Sequence, residues 1–288
     1  MRILITGGFG QLGTSLAREL GDSHNLIVTG STIPKGKSGI CLDIQNKIQM
    51  KEVFHSTAPD LIINLAAMTN VDKCEEYPEL AKEINIAGLQ NICDSFSGKI
   101  IQLSTDYVFD GKEGPYKEDD KVNPISVYGK TKLAAERILL HHNRNSLVIR
   151  GNVLYNRSSQ TNASFLDWVV NSLKHGKQIK IVKDQYNNPT WTVSIAKVIH
   201  MCIKRELEGI LHWGDSDYVN RFEFAKMITE KYDLNSSLIE PILTKDLNQL
   251  AQRPKQSGLN TDKVVEILDV QPPSIDYCLS EIVKRDNL

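Results

Sequence analysis

The chain has 288 residues, enough for one large core or two closely packed lobes, and its 34 Lys+Arg against 35 Asp+Glu argue against nucleic acid or an anionic membrane as partner. Its five scattered cysteines (Cys41, Cys74, Cys93, Cys202, Cys278) form no Cys-x-x-Cys pair and its seven histidines no His-Glu-x-x-His pattern, so neither a disulfide framework nor a metal site is expected. No apolar run approaches the ~20 residues that span a bilayer, and the apolar start (1–6) runs at once into glycines, so the expectation is a soluble cytoplasmic protein without a cleaved leader.

In chain order, short aliphatic runs alternate with helix-length amphipathic segments. The runs are Ile3-Leu4-Ile5, Leu26-Ile27-Val28, Leu61-Ile62-Ile63, Ile100-Ile101-Gln102-Leu103 and Leu147-Val148-Ile149. Such apolar content predicts strands buried on both faces of a parallel sheet. Helices are predicted at 11–20, 46–57, 71–96 and 126–142, which gives a doubly wound α/β unit with right-handed crossovers. After residue 155 the rhythm breaks. A polar stretch (Asn156 to Asn162) leads to a helix at Phe165–His175, a strand at Ile179–Val182 and a turn at Asp184–Pro189. A helix from Ser194, a strand at Gly209–Trp213 and a helix from Arg221 to Tyr232 complete the pattern. The division expected is a dinucleotide-binding unit at 1–155, rejoined by parts of 188–215, and a smaller α+β substrate-binding lobe from 156–187 and 216–288.

The first run passes directly into Gly7-Gly8-Phe9-Gly10-Gln11-Leu12-Gly13. Glycines there allow the sharp turn, close backbone approach to a pyrophosphate and close helix–strand packing, and the next helix offers its positive end to the phosphates. Gly7, Gly10, Gln11, Leu12 and Gly13 are therefore cofactor candidates. The second strand ends at Thr29-Gly30-Ser31-Thr32 without the acid that usually holds an adenosine ribose in NAD sites, and Lys35 and Lys37 follow. This favours NADPH, with NADH as the alternative. Ser31 belongs at the ribose end, and Asp43 with Ile44 at the adenine edge. Asn64-Leu65-Ala66-Ala67, ending the next strand, places Leu65, Ala66, Ala67 and then Thr69 toward the nicotinamide side.

Ser104-Thr105-Asp106-Tyr107 falls at the carboxyl end of a strand, where open α/β sheets gather ligands. Downstream, Tyr128 and Lys132 share one helical face at i and i+4. A free phenol titrates near pH 10, so proton transfer near neutrality calls for a nearby cation to ease its ionisation. Lys132 supplies that charge and reaches the nicotinamide ribose, while Thr105 can hold a substrate carbonyl. His141-His142 reads as a helix-end dipole pairing, and Trp191 and Trp213 as core residues.

Together, the glycine loop, Asn64 to Asp72, the string Ser104-Thr105-Asp106-Tyr107-Val108-Phe109-Asp110-Gly111, Tyr128-Gly129-Lys130-Thr131-Lys132, Asp184-Gln185 with Asn188-Pro189-Thr190, and Arg253-Pro254 with Ser257 and Leu259 resemble the extended short-chain dehydrogenase/reductase family, in its dTDP-4-dehydrorhamnose reductase branch. The resemblance spans nearly the whole chain and implies a Rossmann-type sheet. It implies NAD(P)H-dependent reduction of the C4 keto group of a nucleotide-activated deoxysugar, dTDP-4-dehydrorhamnose to dTDP-rhamnose, for cell-surface polysaccharide. It makes Thr105, Tyr128 and Lys132 catalytic, with Tyr128 as proton donor, and puts Asp106, Tyr107, Val153 and Arg253 at the substrate, Arg253 facing the diphosphate. A homodimer is also implied. Val153 departs from the pattern, since it stands where the branch has a Trp, which should open the sugar pocket. Thr14-Ser15 and Thr190-Trp191-Thr192 lack the carboxylates with which some relatives hold Mg²⁺, so no such metal is expected.

Two alternatives stay open. His212-Trp213-Gly214 and Ala251-Gln252-Arg253-Pro254 also resemble the regulatory β subunit of methionine adenosyltransferase, which implies an NADP-binding protein without turnover. A nucleotide-sugar epimerase or dehydratase is the other. Dehydratases of this fold carry an Asp-Glu pair after the active-site Thr, whereas here Asp106 is followed by Tyr107.

Overall fold

The computed structural model describes residues 1–157 and 164–286. In chain order its first half comprises β1 (Arg2–Thr6), α1 (Gln11–Leu20), β2 (Asn25–Gly30), β3 (Ile40–Cys41), α2 (Lys47–Thr57), β4 (Leu61–Asn64), α3 (Val71–Glu76), α4 (Pro78–Lys82), α5 (Gly88–Ser95), β5 (Lys99–Thr105), α6 (Val127–His142) and β6 (Leu147–Gly151). The second half comprises β7 (Leu154–Tyr155), α7 (Phe165–Lys174), β8 (Ile179–Val182), β9 (Tyr186–Asn187), β10 (Thr190–Trp191), α8 (Thr192–Lys204), β11 (Gly209–Trp213), β12 (Val219–Asn220), α9 (Arg221–Lys231), β13 (Ile239–Ile242), α10 (Asp262–Leu268) and α11 (Ile275–Asp286).

The main sheet has seven strands in the order β11-β6-β5-β4-β1-β2-β3, and every pair is parallel. Strand side chains alternate between faces. Ile3, Ile5, Leu61, Ile63, Ile101, Leu147 and Ile149 thus pack with α1, α8 and α10 on one side. Leu4, Ile62, Ile100 and Val148 pack with α2, α5 and α6 on the other. This explains the unbroken aliphatic runs: each strand serves two cores. The strand order reverses between β1 and β4, which opens a crevice at their carboxyl ends. A further core gathers Leu166, Val169, Ile179, Phe224, Ile228, Cys278 and Leu279 from α7, β8, α9 and α11, with no strand of the main sheet.

Most predicted elements stand within two residues of their expected bounds, and β11 does join the main sheet. The 71–96 helix is an exception. Tyr77 leaves the helical region (φ −125°, ψ 67°), and Pro78 then starts a new helix at a position that needs no N–H. A π-helical turn at Glu83–Ala87 follows before α5. Of the polar stretch from Asn156 to Asn162, residues 158–162 lie outside the described residues.

Candidate active site

The crevice at the strand reversal is a cavity of about 1030 Å³. The turn from β1 into α1 forms its floor. Gly7 sits at φ +62°, and a Cβ there would come within 2.9 Å of the Ala66 backbone nitrogen, so only glycine lets the two segments meet. The N-cap of α1 is Gly10, which has no side chain to satisfy the first N–H groups, and the first turn carries no acid. Those donors and the helix dipole therefore stay available to an anion. Gln11 Oε1 is buried there without a hydrogen-bond partner among the described residues.

The structure brings the expected cofactor residues to this one cavity: Gly7, Gly10, Gln11, Leu12, Gly13, Ser31, Asp43, Ile44, Leu65, Ala66, Ala67 and Thr69 all line it. Lys35 and Lys37 are exposed and do not line it. Beneath the wall runs a polar chain the sequence did not announce. The Thr6 hydroxyl donates to Asn64 Oδ1, Asn64 Nδ2 to Gln102 Oε1 (2.7 Å), and Gln102 Nε2 to the Leu103 carbonyl (2.7 Å).

Thr105 ends β5 and caps a single 3₁₀ turn, Asp106–Val108. Its hydroxyl accepts from the Tyr107 N–H (3.2 Å) and donates to Asp106 Oδ1 (3.0 Å). Helix α6 starts just beyond Ser126, whose hydroxyl accepts from the Gly129 N–H (3.2 Å). A Cβ on Gly129 would lie 2.1 Å from the Tyr107 carbonyl oxygen, so glycine lets α6 press Tyr128 against the Thr105 turn. Tyr107 and Tyr128 meet edge to face at 5.7 Å, and both border the cavity with Thr105. Burial pushes the Tyr128 phenol well above its ordinary range; the Asp106 carboxylate pushes the same way, and a hydrogen bond with Thr105 opposes them. Tyr128 is therefore a protonated phenol at neutral pH, held as an acid.

Lys132 lies one turn further along α6. It is not on the cavity wall, and its Nζ donates to the Leu103 carbonyl (2.7 Å), the end of the polar chain above. Burial lowers its amine to about 8, and Glu136 opposes that. Glu136 itself is buried in a bidentate pair with Arg150 (2.7 and 3.0 Å) and accepts from the Ser104 hydroxyl. Arg150 in turn meets His212 Nε2 (3.2 Å), and burial with the Arg150 charge pushes the imidazole down to about 3, so it stays neutral. His212 is thereby part of the support beneath the site.

The same cavity wall holds Asp106, Tyr107, Val153 and Arg253, the residues the sequence assigned to a substrate. Val153 stands at φ +20°, uncommon for a β-branched residue. Asp106 is fully enclosed and accepts from the Ser257 hydroxyl (2.6 Å); burial raises its carboxyl to about 6 against the bonds from Ser257 and Thr105. Ser257 and Arg253 arrive on a segment pinned across the loop before α6, with Gln256 N–H bonded to the Gly111 carbonyl (2.8 Å) and Tyr116 N–H to that of Gly258 (2.8 Å). Arg253 pairs with Asp72 (2.8 Å), and its other terminal nitrogen is buried without a partner among the described residues. Arg221, the first residue of α9, joins it on the wall, its guanidinium 5.1 Å above the Phe165 ring. Sequence reasoning missed Arg221, because only the Asn220-x-x-Glu223 cap marks that point of the chain. Two guanidinium groups thus border one cavity with a phenol acid and a glycine-rich helix start. Such a set can bind two phosphate-bearing ligands and protonate an oxygen between them.

The RmlD substrate binding domain family matches residues 1–287. A dTDP-4-dehydrorhamnose reductase of Aggregatibacter actinomycetemcomitans is 32% identical over 98% of each chain. The methionine adenosyltransferase 2 subunit beta of Xenopus tropicalis is 29% identical over 92% of this chain and 82% of its own. Among solved structures, a dTDP-4-dehydrorhamnose reductase from Bacillus anthracis in complex with NADP superimposes with a TM-score of 0.90 at 28% identity, covering 99% of both chains.

Proposed function

The chain belongs to the RmlD substrate-binding domain family, and from that membership we propose an NADPH-dependent oxidoreductase that converts dTDP-4-dehydrorhamnose to dTDP-rhamnose. The observation that carries the reading is the meeting of Thr105, Tyr128 and two guanidinium groups in the cavity that the glycine turn opens. The two dTDP-4-dehydrorhamnose reductases named above support the same activity.

The dinucleotide's pyrophosphate is suited to the unpaired N–H groups of α1 and to the gap that Gly7 leaves beside Ala66. Leu65, Ala66, Ala67 and Thr69 would flank its nicotinamide half, and Asp43 with Ile44 its adenine. When bound, NADPH supplies the hydride. Thr105, once its hydroxyl turns from Asp106 Oδ1, would hold the substrate carbonyl oxygen beside Tyr128. As that oxygen gains negative charge, Tyr128 gives it the phenolic proton, and the C4 carbonyl becomes an alcohol. Lys132, anchored on the Leu103 carbonyl, keeps a cation behind the phenolate that remains. Arg221 and Arg253 hold the sugar-nucleotide diphosphate. The same reading includes a cytoplasmic homodimer, and a light-scattering mass equal to the 32.4 kDa monomer would remove the dimer.

The test is NADPH oxidation with dTDP-4-dehydro-L-rhamnose, run beside Tyr128→Phe. The variant should bind NADPH as the wild type does and lose about 100-fold or more in kcat, the usual worth of a positioned acid. Equal turnover by the variant would place the acid elsewhere. The adenosyltransferase relative supports a second reading, an NADP-binding regulatory subunit. Tight NADPH binding with no turnover of any keto-sugar would favour it.

A further inference from the structure

Helix α7 buries Leu166, Val169, Val170 and Leu173, the i, i+3, i+4, i+7 stripe of an ordinary core-facing helix. Trp168 lies off that stripe. It is 40% exposed, whereas the other two tryptophans, Trp191 and Trp213, are 3% and 1% exposed. Yet Trp168 does not sit on open surface, because it lines the active-site cavity. A large indole left uncovered there gains little for folding.

The neighbours of Trp168 form an ordered row. Tyr107 packs on Tyr128 at the reacting end (5.7 Å). Arg221, whose charge is felt by Tyr107, lies over Phe165 at 5.1 Å, and Phe165 meets Trp168 at 5.7 Å with their planes tilted by 45°. Phe165 is also stacked on buried Phe224 at 5.5 Å, so it is already engaged and Trp168 carries the accessible indole surface. From Tyr128 outward the cavity therefore offers a phenol acid, then a guanidinium, then an accessible aromatic ring. A nucleotide sugar has its parts in the same order: reacting sugar, diphosphate, base.

We propose that Trp168 is the platform on which the nucleobase of the sugar nucleotide stacks, with Phe165 and Arg221 fixing the ring's position. The inference rests on the nucleotide-sugar reading above and adds where the base lies. Stacking uses the π-face that every base possesses, so this contact contributes affinity without choosing among bases.

The experiment is a tryptophan-fluorescence titration with dTDP and, separately, with inorganic pyrophosphate, followed by calorimetry on Trp168→Ala and Trp168→Phe. The two buried tryptophans are shielded, so dTDP should quench the wild type through Trp168, and pyrophosphate should not. Trp168→Phe should lose the quench yet keep most of the dTDP affinity. Trp168→Ala should bind dTDP about tenfold more weakly, in line with the worth of one base–aromatic stack, while pyrophosphate affinity is unchanged. Trp168→Ala binding dTDP as tightly as the wild type, or dTDP quenching no more than pyrophosphate, overturns the platform and leaves the reductase reading untouched. Quenching by dTDP in a protein that reduces no keto-sugar supports the platform and overturns the reductase. Absence of any dTDP binding overturns both.

Discussion

Asp106 shows how one residue couples the parts of the site. It lies between Thr105, at the end of β5, and Ser257, about 150 positions later, and accepts a hydroxyl from each. Among the described residues no cation forms a salt bridge with it, and burial raises its carboxyl from 3.8 to about 6 against the hydroxyl bonds and the more distant Arg221 charge. Between those values the folded chain holds a proton that the unfolded chain has released. Stability from this group must therefore fall as pH rises from about 4 through about 6 and level off above that. We predict that Asp106→Asn, which keeps an acceptor and adds a donor, removes this loss. The melting temperature of the variant relative to the wild type should rise across that window in paired melts; a flat difference would mean that Asp106 titrates normally. The position of Asp106 next to Thr105 was legible in the sequence. Its partner was not, because nothing local in Ser257 points to a carboxylate brought near only by the fold. Arg221 and Trp168 escaped for the same reason, whereas the glycine turn, Thr105, Tyr128 and Lys132 carry their chemistry in short spacings.

At the scale of elements, α9 shows a short local signal positioning a distant site. Asn220 Oδ1 accepts from the Glu223 N–H (2.9 Å), and Glu223 Oε2 accepts from the Asn220 N–H (3.0 Å), a reciprocal cap that fixes the first turn and with it Arg221. Replacing Asn220 by Ala should cost about 1 kcal/mol in urea unfolding. If the cap serves the site, it should also raise KM for the sugar nucleotide more than it lowers kcat, since Arg221 would be held less firmly. A stability loss with unchanged KM would leave the cap a purely structural device. The main-sheet strands and the long helices were readable because each repeats its period over several residues. The chain after Tyr232 was not read: β13, α10 and a pair of 3₁₀ turns are short, and the 12-residue α11 was passed over although Ile275, Cys278, Leu279 and Ile282 repeat at helical spacing. The break at Tyr77 was equally hidden, since apolar periodicity runs on through 71–96 and only Pro78 hinted at a restart.

At the scale of the whole molecule, the sheet's cores and the core of α7, α9 and α11 must move as one for Arg221 to stay opposite Tyr128. One buried carboxylate joins them. Asp215 accepts from the Tyr155 hydroxyl (2.8 Å), the Trp191 N–H (2.9 Å) and the Ser194 hydroxyl (2.9 Å), and Ser194 accepts from the indole N–H of Trp213 (3.1 Å). Trp213 belongs to the sheet core, Tyr155 and Trp191 to the other. Asp215→Ala would leave the Tyr155 hydroxyl and the Trp191 N–H buried without an acceptor, each worth about 1–3 kcal/mol, while Ser194 keeps the Trp191 carbonyl (2.9 Å). We predict that the wild type unfolds with coincident far-ultraviolet circular dichroism and tryptophan fluorescence, and that Asp215→Ala separates the two curves. NADPH should then shift only the transition of the sheet core, because a ligand stabilises the unit that binds it. Asp215→Asn, which keeps an oxygen in place, should lose less. Coincident curves in Asp215→Ala, with NADPH moving both together, would mean that the apolar contact between the lobes joins them without this carboxylate.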